Sequence, residues 1–204
     1  MSIYKLPLGI KIPEFDEIPN KDDIEEITKN RNSANIVEGY VLREVKDEKF
    51  TYYAEINVNA DNIWDLFVSL SNILIADIAY GIVGFKDEKP MLSEFTQKQR
   101  IFDILYRYKF ELSNDGFLTF GMAHYDDISL NEIYISSFKY FKVWTTNKKG
   151  LIEALAKFGL SEKEDLNFID EFPVVSKALS YDEIRGIRHY SQVLSEIESE
   201  FADL

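Results

Sequence analysis

Only two histidines are present in this chain, and one of them sits in the best candidate for metal chemistry, His124-Tyr125-Asp126-Asp127. On a strand, positions 124 and 126 point to the same face, so an imidazole and a carboxylate could reach one ion. A working site needs a third and usually a fourth ligand, and the other histidine, His189, falls in a different predicted element. A strand ending in an acidic turn explains the same residues, and no metal is expected. Nucleophilic catalysis has less to work with. There is no cysteine and no Gly-x-Ser-x-Gly elbow, so a Ser/His/Asp triad would have to use His124 or His189. Paired carboxylates suited to glycoside hydrolysis occur in any acidic chain, and a sequence cannot measure the separation that chemistry requires. Gly81-Ile82-Val83-Gly84 lacks the lysine and the strand-to-helix setting of a phosphate loop, and it predicts close backbone packing within a strand. No catalytic residue and no cofactor is assigned.

Two segments are better suited to binding. The densest aromatic run lies between Tyr134 and Trp144. Read as one strand, it places Tyr134, Ser136, Phe138, Tyr140, Lys142 and Trp144 on one face and Ile135, Ser137, Lys139, Phe141 and Val143 on the other. A half-buried strand with a lysine-bearing outer face accounts for this pattern. A nucleic-acid stacking platform would need surrounding positive charge, which this chain lacks. The second segment is the acidic C-terminal helix, where Glu196, Glu198, Glu200 and Asp203 spread over several faces. A solvated, solubilising helix is the plain explanation. A docking surface is the functional one, with Tyr181, Tyr190 and Phe201 as aromatic anchors beside the binding acids Glu196, Glu198 and Glu200.

The elements that must carry these residues follow from periodicity. Residues 36–45 and 50–58, rich in β-branched and aromatic side chains, flank the turn at 46–49 and predict an antiparallel hairpin. Asn59-Ala60-Asp61 leads into Ile63, Trp64, Phe67, Leu70 and Leu74 at helical spacing. A strand is expected over 78–85. A helix opening at Ser93 carries Phe95, Ile101, Phe102, Leu105, Tyr108 and Leu112, and it stops at Asn114-Asp115-Gly116. Strands over 117–125 and 132–146 follow, then a helix from Asn147 to Gly159. A last helix starts at the capping-box pair Ser180-x-x-Glu183 and runs to about Phe201, with Ile184, Ile187, Val193 or Leu194, and Ile197 inward. The order β-β-α-β-α-β-β-α-α predicts an α+β fold, a mostly antiparallel sheet with helices packed on it. Residues 1–36 look like a partly extended N-terminal arm, with Pro7, Pro13 and Pro19 opposing a long helix and Asn20 placed to cap a short one over 21–29. Residues 37–204 then form a single domain.

Composition narrows the function. The chain has 36 acidic and 23 basic residues, a net charge of −13, yet 46% of it is hydrophobic, so the charge belongs to the surface of a folded domain. The charge is uneven: residues 161–204 hold 11 acids and four bases, over half the net total. Such a field repels nucleic acid and anionic membrane. No signal peptide or spanning segment is read at the N-terminus or in the longest apolar stretch, and the cysteine-free chain suits a cytoplasmic location. The expected partner is a basic protein. The expected function is an acidic binding module of the immunity or inhibitor type that neutralises a basic toxin or nuclease. Two alternatives are a small hydrolase using paired carboxylates in a cleft, and a structural subunit of a homo-oligomer such as a homodimer, its N-terminal arm reaching over a neighbour.

Overall fold

Strict alternation of inward and outward side chains builds the centre of the molecule. In the computed structural model, which describes residues 3–14, 17, 24–182 and 184–204, the elements run β1 (Ile10–Lys11), α1 (Ile24–Ser33), β2 (Gly39–Glu44), β3 (Tyr52–Asn57), α2 (Ile63–Leu74), β4 (Ile78–Phe85), β5 (Met91–Leu92), β6 (Thr96–Gln97), α3 (Lys98–Tyr106), α4 (Lys109–Asn114), β7 (Leu118–Tyr125), β8 (Leu130–Ile135), β9 (Phe141–Thr145), α5 (Lys148–Lys157), β10 (Val175–Ser176) and α6 (Tyr190–Ala202). The main sheet has the order β2-β3-β9-β8-β7-β4-β5, with β6 also on β4, and its strand pairs are antiparallel. The fold is α+β, 35% helical and 25% strand.

One face of the sheet meets the helices. Ala54 and Ile56, Phe120 and Met122, Ile133 and Ile135, and Phe141 and Val143 are buried there against Phe67 and Leu70 of α2, Leu105 of α3, Leu155 of α5 and Ile197 of α6. Each of these side chains larger than alanine contributes about 1.5–3 kcal/mol by leaving water. Phe67 and Phe120, both fully buried, meet edge to face at 5.1 Å between centroids. Gly81 lets α6 approach β4, because a Cβ there would lie 2.7 Å from Phe201 Cζ and 2.8 Å from Ile101 Cγ2. The predicted role of the glycine pair in close packing is thus met at Gly81. Asn147 caps α5 through its side chain, which accepts from the Gly150 amide at 2.9 Å, and Gly159 ends it at φ +70°. Lys98 closes α2 by donating to the carbonyls of Ser71 and Ile75, at 3.2 and 2.8 Å.

Three expectations need correction. The strand predicted over 132–146 is two strands, β8 and β9, joined by a tight turn in which Lys139 adopts φ +64°. A left-handed non-glycine residue costs about 1–2 kcal/mol, and burial of its side chain, whose ammonium donates to the Leu118 carbonyl, fixes it there. The helix expected from Ser93 begins at Lys98 and breaks before α4, because Met91–Leu92 and Thr96–Gln97 first pair along β4 and Ser93 Oγ accepts the Gly81 amide at 2.8 Å. The last helix begins at Tyr190 and not at Ser180, since Gly186 at φ +87° turns the chain and His189 provides the cap. Glu183 of the expected capping box, and Asn20 and the first residues of the short helix expected over 21–29, lie outside the described residues.

The N-terminal segment is tied to the body. Tyr4 and Ile10 are buried, Gly9 donates its amide to the Asn114 carbonyl at 2.8 Å, and Lys5 Nζ pairs with Asp61 at 2.7 Å. Ile10–Lys11 forms a separate ribbon with β10. The segment over 162–172 crosses the second face of the main sheet, packing Leu166 and Phe168 against Tyr140 and Val41. It covers one end of that face only.

Candidate binding cleft

The uncovered end of the second face is a trough of about 440 Å³ lined by Tyr53, Tyr80, Ile82, Pro90, Leu92, Ala123, Tyr125, Glu132, Tyr134, Lys142 and Trp144. Period-two alternation puts these side chains opposite the core-facing set on the same strands. The register then aligns them. Tyr53 pairs with Trp144, Trp144 with Glu132, Glu132 with Ala123, and Ala123 with Tyr80, one continuous row across five strands. At ordinary strand spacing this row spans about 19 Å. The next row runs Glu55, Lys142, Tyr134, Gly121, Ile82 and Leu92. Small residues on β7 make the floor, and the large ones on either side make the walls. Gly121 is fixed as floor, since a Cβ would sit 2.2 Å from the Ile133 carbonyl oxygen.

The walls are aromatic faces. Tyr53 and Trp144 lie 5.2 Å apart, and Tyr80 stacks on Tyr125 at 4.9 Å and 12°. Tyr125 and Leu92 keep 45% and 53% of their surface exposed, so the trough opens to solvent. Burial, with the Glu55 charge behind it, pushes the Tyr53 hydroxyl above its ordinary range, and the adjoining Tyr125 hydroxyl followed by burial does the same to Tyr80. Both therefore stay neutral phenols near pH 7. Glu132 is half-buried between these walls. Its carboxyl is pushed up by desolvation alone, and no hydrogen bond or ion pair holds it among the described residues. Lys142 also lines the trough, with its ammonium 5.4 Å from the Tyr140 ring centroid. A desolvated carboxyl framed by ring faces can receive a cation that brings its own hydrogen-bond donors.

The residues expected to form a docking surface on the last helix are arranged differently. Phe201 is 4% exposed and packs on Gly81, so it belongs to the core and is not an available anchor. Tyr190 is half-buried between Phe85 and Phe117, at 5.3 and 5.2 Å. Tyr181 is exposed, and its hydroxyl accepts the His189 amide at 2.7 Å. Glu200 forms an ion pair with Arg107 and accepts from the Tyr108 hydroxyl at 2.8 Å. Glu196 accepts from Gln192 at 2.8 Å and faces Arg188 Nε at 3.5 Å, and Gln192 first among these holds its carboxyl below the usual range. Glu198 is exposed to solvent. Two of the three acids thus serve as counterions for the molecule's own arginines.

At the metal candidate, His124 donates Nδ1–H to the Ile78 carbonyl at 2.7 Å, and its Nε2 lies 3.7 Å from Asp126. Asp126 instead closes its turn. It accepts the amides of Ile128 and Ser129 at 2.8 and 2.7 Å, which lower its carboxyl. Among the described residues, no three histidine or acidic side chains gather closely enough to hold a metal ion. Nor, among them, is any helix long and apolar enough to cross a membrane. A second hollow of about 490 Å³, where residues 5–8 cross α2 and α4, is lined by Lys5 and Asp61, already paired with each other.

No family model, no curated protein and no solved structure matches this chain. The trough has no local signature in the sequence because it depends on the register of five strands. The one available signal was the aromatic density between Tyr134 and Trp144.

Proposed function

We propose that this chain is a cytoplasmic, acidic protein-binding module of the immunity or inhibitor type, which neutralises a basic toxin or nuclease through the open face of its sheet. The observation that carries the proposal is the trough of five aromatic side chains around a glutamate with no ion pair among the described residues, on a chain of net charge −13. Protein interfaces concentrate their binding free energy in a few aromatic and charged residues surrounded by a rim that excludes water. The overall negative field speeds encounter with a basic partner and makes it salt-dependent. Against the hydrolase alternative, only one carboxylate, Glu132, lines the trough among the described residues, whereas a paired-carboxylate mechanism uses two.

The test is affinity capture from the source organism at low and high salt, run in parallel with wild-type protein and a Tyr134→Ala/Trp144→Ala double variant. The proposal expects one basic protein retained by the wild type, released by salt and absent from the variant. Equal capture by both proteins would move the contact surface elsewhere. An empty capture, or a second copy of this chain as the retained species, would contradict the proposal.

A further inference from the structure

We propose that the trough is a receptor for a guanidinium group, the side chain of an arginine on the partner, held flat against the aromatic walls and paired to Glu132. The proposal deepens the function given above and rests on it for the source of the arginine. Three features of the trough select this occupant. First, Glu132 is the one acid of the lining and has neither hydrogen bond nor ion pair among the described residues, so its desolvation is uncompensated until a cation arrives. Second, the walls offer ring faces, Trp144 beside Tyr53 and Tyr80 on Tyr125, and a planar, weakly hydrated guanidinium stacks on such faces better than an ammonium does. Third, Glu132 lies in the same row as both walls, flanked by Trp144 on one strand and by Ala123 on the other. A cation over the small Ala123 floor meets the carboxylate and the rings together. A guanidinium also presents two parallel N–H donors, the geometry a carboxylate accepts.

Lys142 is the neighbour that could compete. It sits in the adjacent row, opposite Tyr134, and its ammonium is placed over the Tyr140 ring. Among the described residues no ion pair joins Lys142 to Glu132, so Lys142 is not its counterion. Removing the lysine charge should leave arginine binding intact or tighten it. That is the reverse of what a general loss of structure would do.

The experiment is calorimetric titration of the full chain with N-acetyl-arginine methylamide. Comparators are the citrulline derivative, which has the same shape without charge, and the lysine derivative, which is charged without a planar fork. The expected order is arginine tighter than lysine, with citrulline weaker than arginine by about tenfold or more. Glu132→Gln should lose about tenfold toward arginine and nothing toward citrulline, while circular dichroism is unchanged and the melting temperature stays at or above the wild-type value. Lys142→Gln should match or exceed the wild type. Absence of arginine binding, equal binding of citrulline, or a Glu132→Gln variant indistinguishable from wild type would each overturn the assignment. If a basic partner is captured but arginine does not bind, the protein-binding function survives and the receptor does not. If arginine binds as described but no partner is captured, the receptor stands and the partner must be given up.

Discussion

The trough on the open sheet face and the outer edge of α6 carry the same kinds of residue, glutamates among tyrosines, and use them in opposite ways. At α6, Glu200 is paired with Arg107 and Tyr108, Glu196 is held by Gln192 and Arg188, and Glu111 beneath them accepts Arg188 twice, from its amide at 3.0 Å and its guanidinium at 3.3 Å. These acids stabilise the seat of the last helix. In the trough, Glu132 is desolvated and, among the described residues, forms no ion pair. The lesson is that local acidic density does not mark a binding surface. The acid whose burial is not offset among the described residues lies elsewhere, on the open sheet face.

The contrast can be broken or sharpened by four changes. The largest effect belongs to a third kind of charge, Lys139, which is buried completely and whose ammonium is driven down to about 7 by desolvation, opposed only by Asp115. The unfolded chain keeps that proton up to the ordinary lysine range, near 10.5. Between about pH 7 and 10.5 the unfolded state therefore binds more protons, and stability should rise with pH across that window. Urea unfolding at several pH values measures the slope, and Lys139→Met should flatten it. A slope unchanged in that variant would show that Lys139 is not its source.

Gly81→Ala comes next. Its methyl would press on Phe201 and Ile101, and overpacking of this kind costs about 1–3 kcal/mol. Thermal unfolding should show the loss, because it displaces α6 from β4. A neutral result would mean that α6 is seated less tightly than its contacts imply. Glu200→Gln should cost about 1 kcal/mol, since the hydrogen bond survives but the charge opposite Arg107 does not. Glu132→Gln is the matched change on the other side. It should leave stability within about 0.5 kcal/mol of wild type or raise it, because the carboxyl has no partner among the described residues to lose. A Glu132→Gln loss as large as that of Glu200→Gln would erase the distinction between the two regions.

Much of the fold was legible along the chain. The helical spacing from Ile63 to Leu74, the β-branched run 78–85 and the Asn147 cap each state their element locally, and each is found where periodicity places it. The misplacements have physical causes. The break between β8 and β9 hides in a run without glycine, proline or asparagine, because a buried lysine takes the left-handed turn position. The residues before α3 carry helix-like spacing but are captured by the edge of β4. Ser180 offers a start signal for the last helix that Gly186 overrides six residues on. The candidate site was less legible still. Tyr134 and Trp144 announce aromatic density, but Tyr80, Tyr125 and Tyr53 join them only through strand register. That Glu132 has no counterion among the described residues, while Glu196 and Glu200 have theirs, is a tertiary fact with no local signature.

The measurement that tests the central claim most directly is a map of backbone amide and indole shifts in the nitrogen-15-labelled protein as N-acetyl-arginine methylamide is added. The account predicts shifts concentrated on β7, β8 and β9 and on the Trp144 indole, with the amides of α6 unmoved. Shifts centred on Glu196, Glu198 and Glu200, or none in the trough, would contradict it.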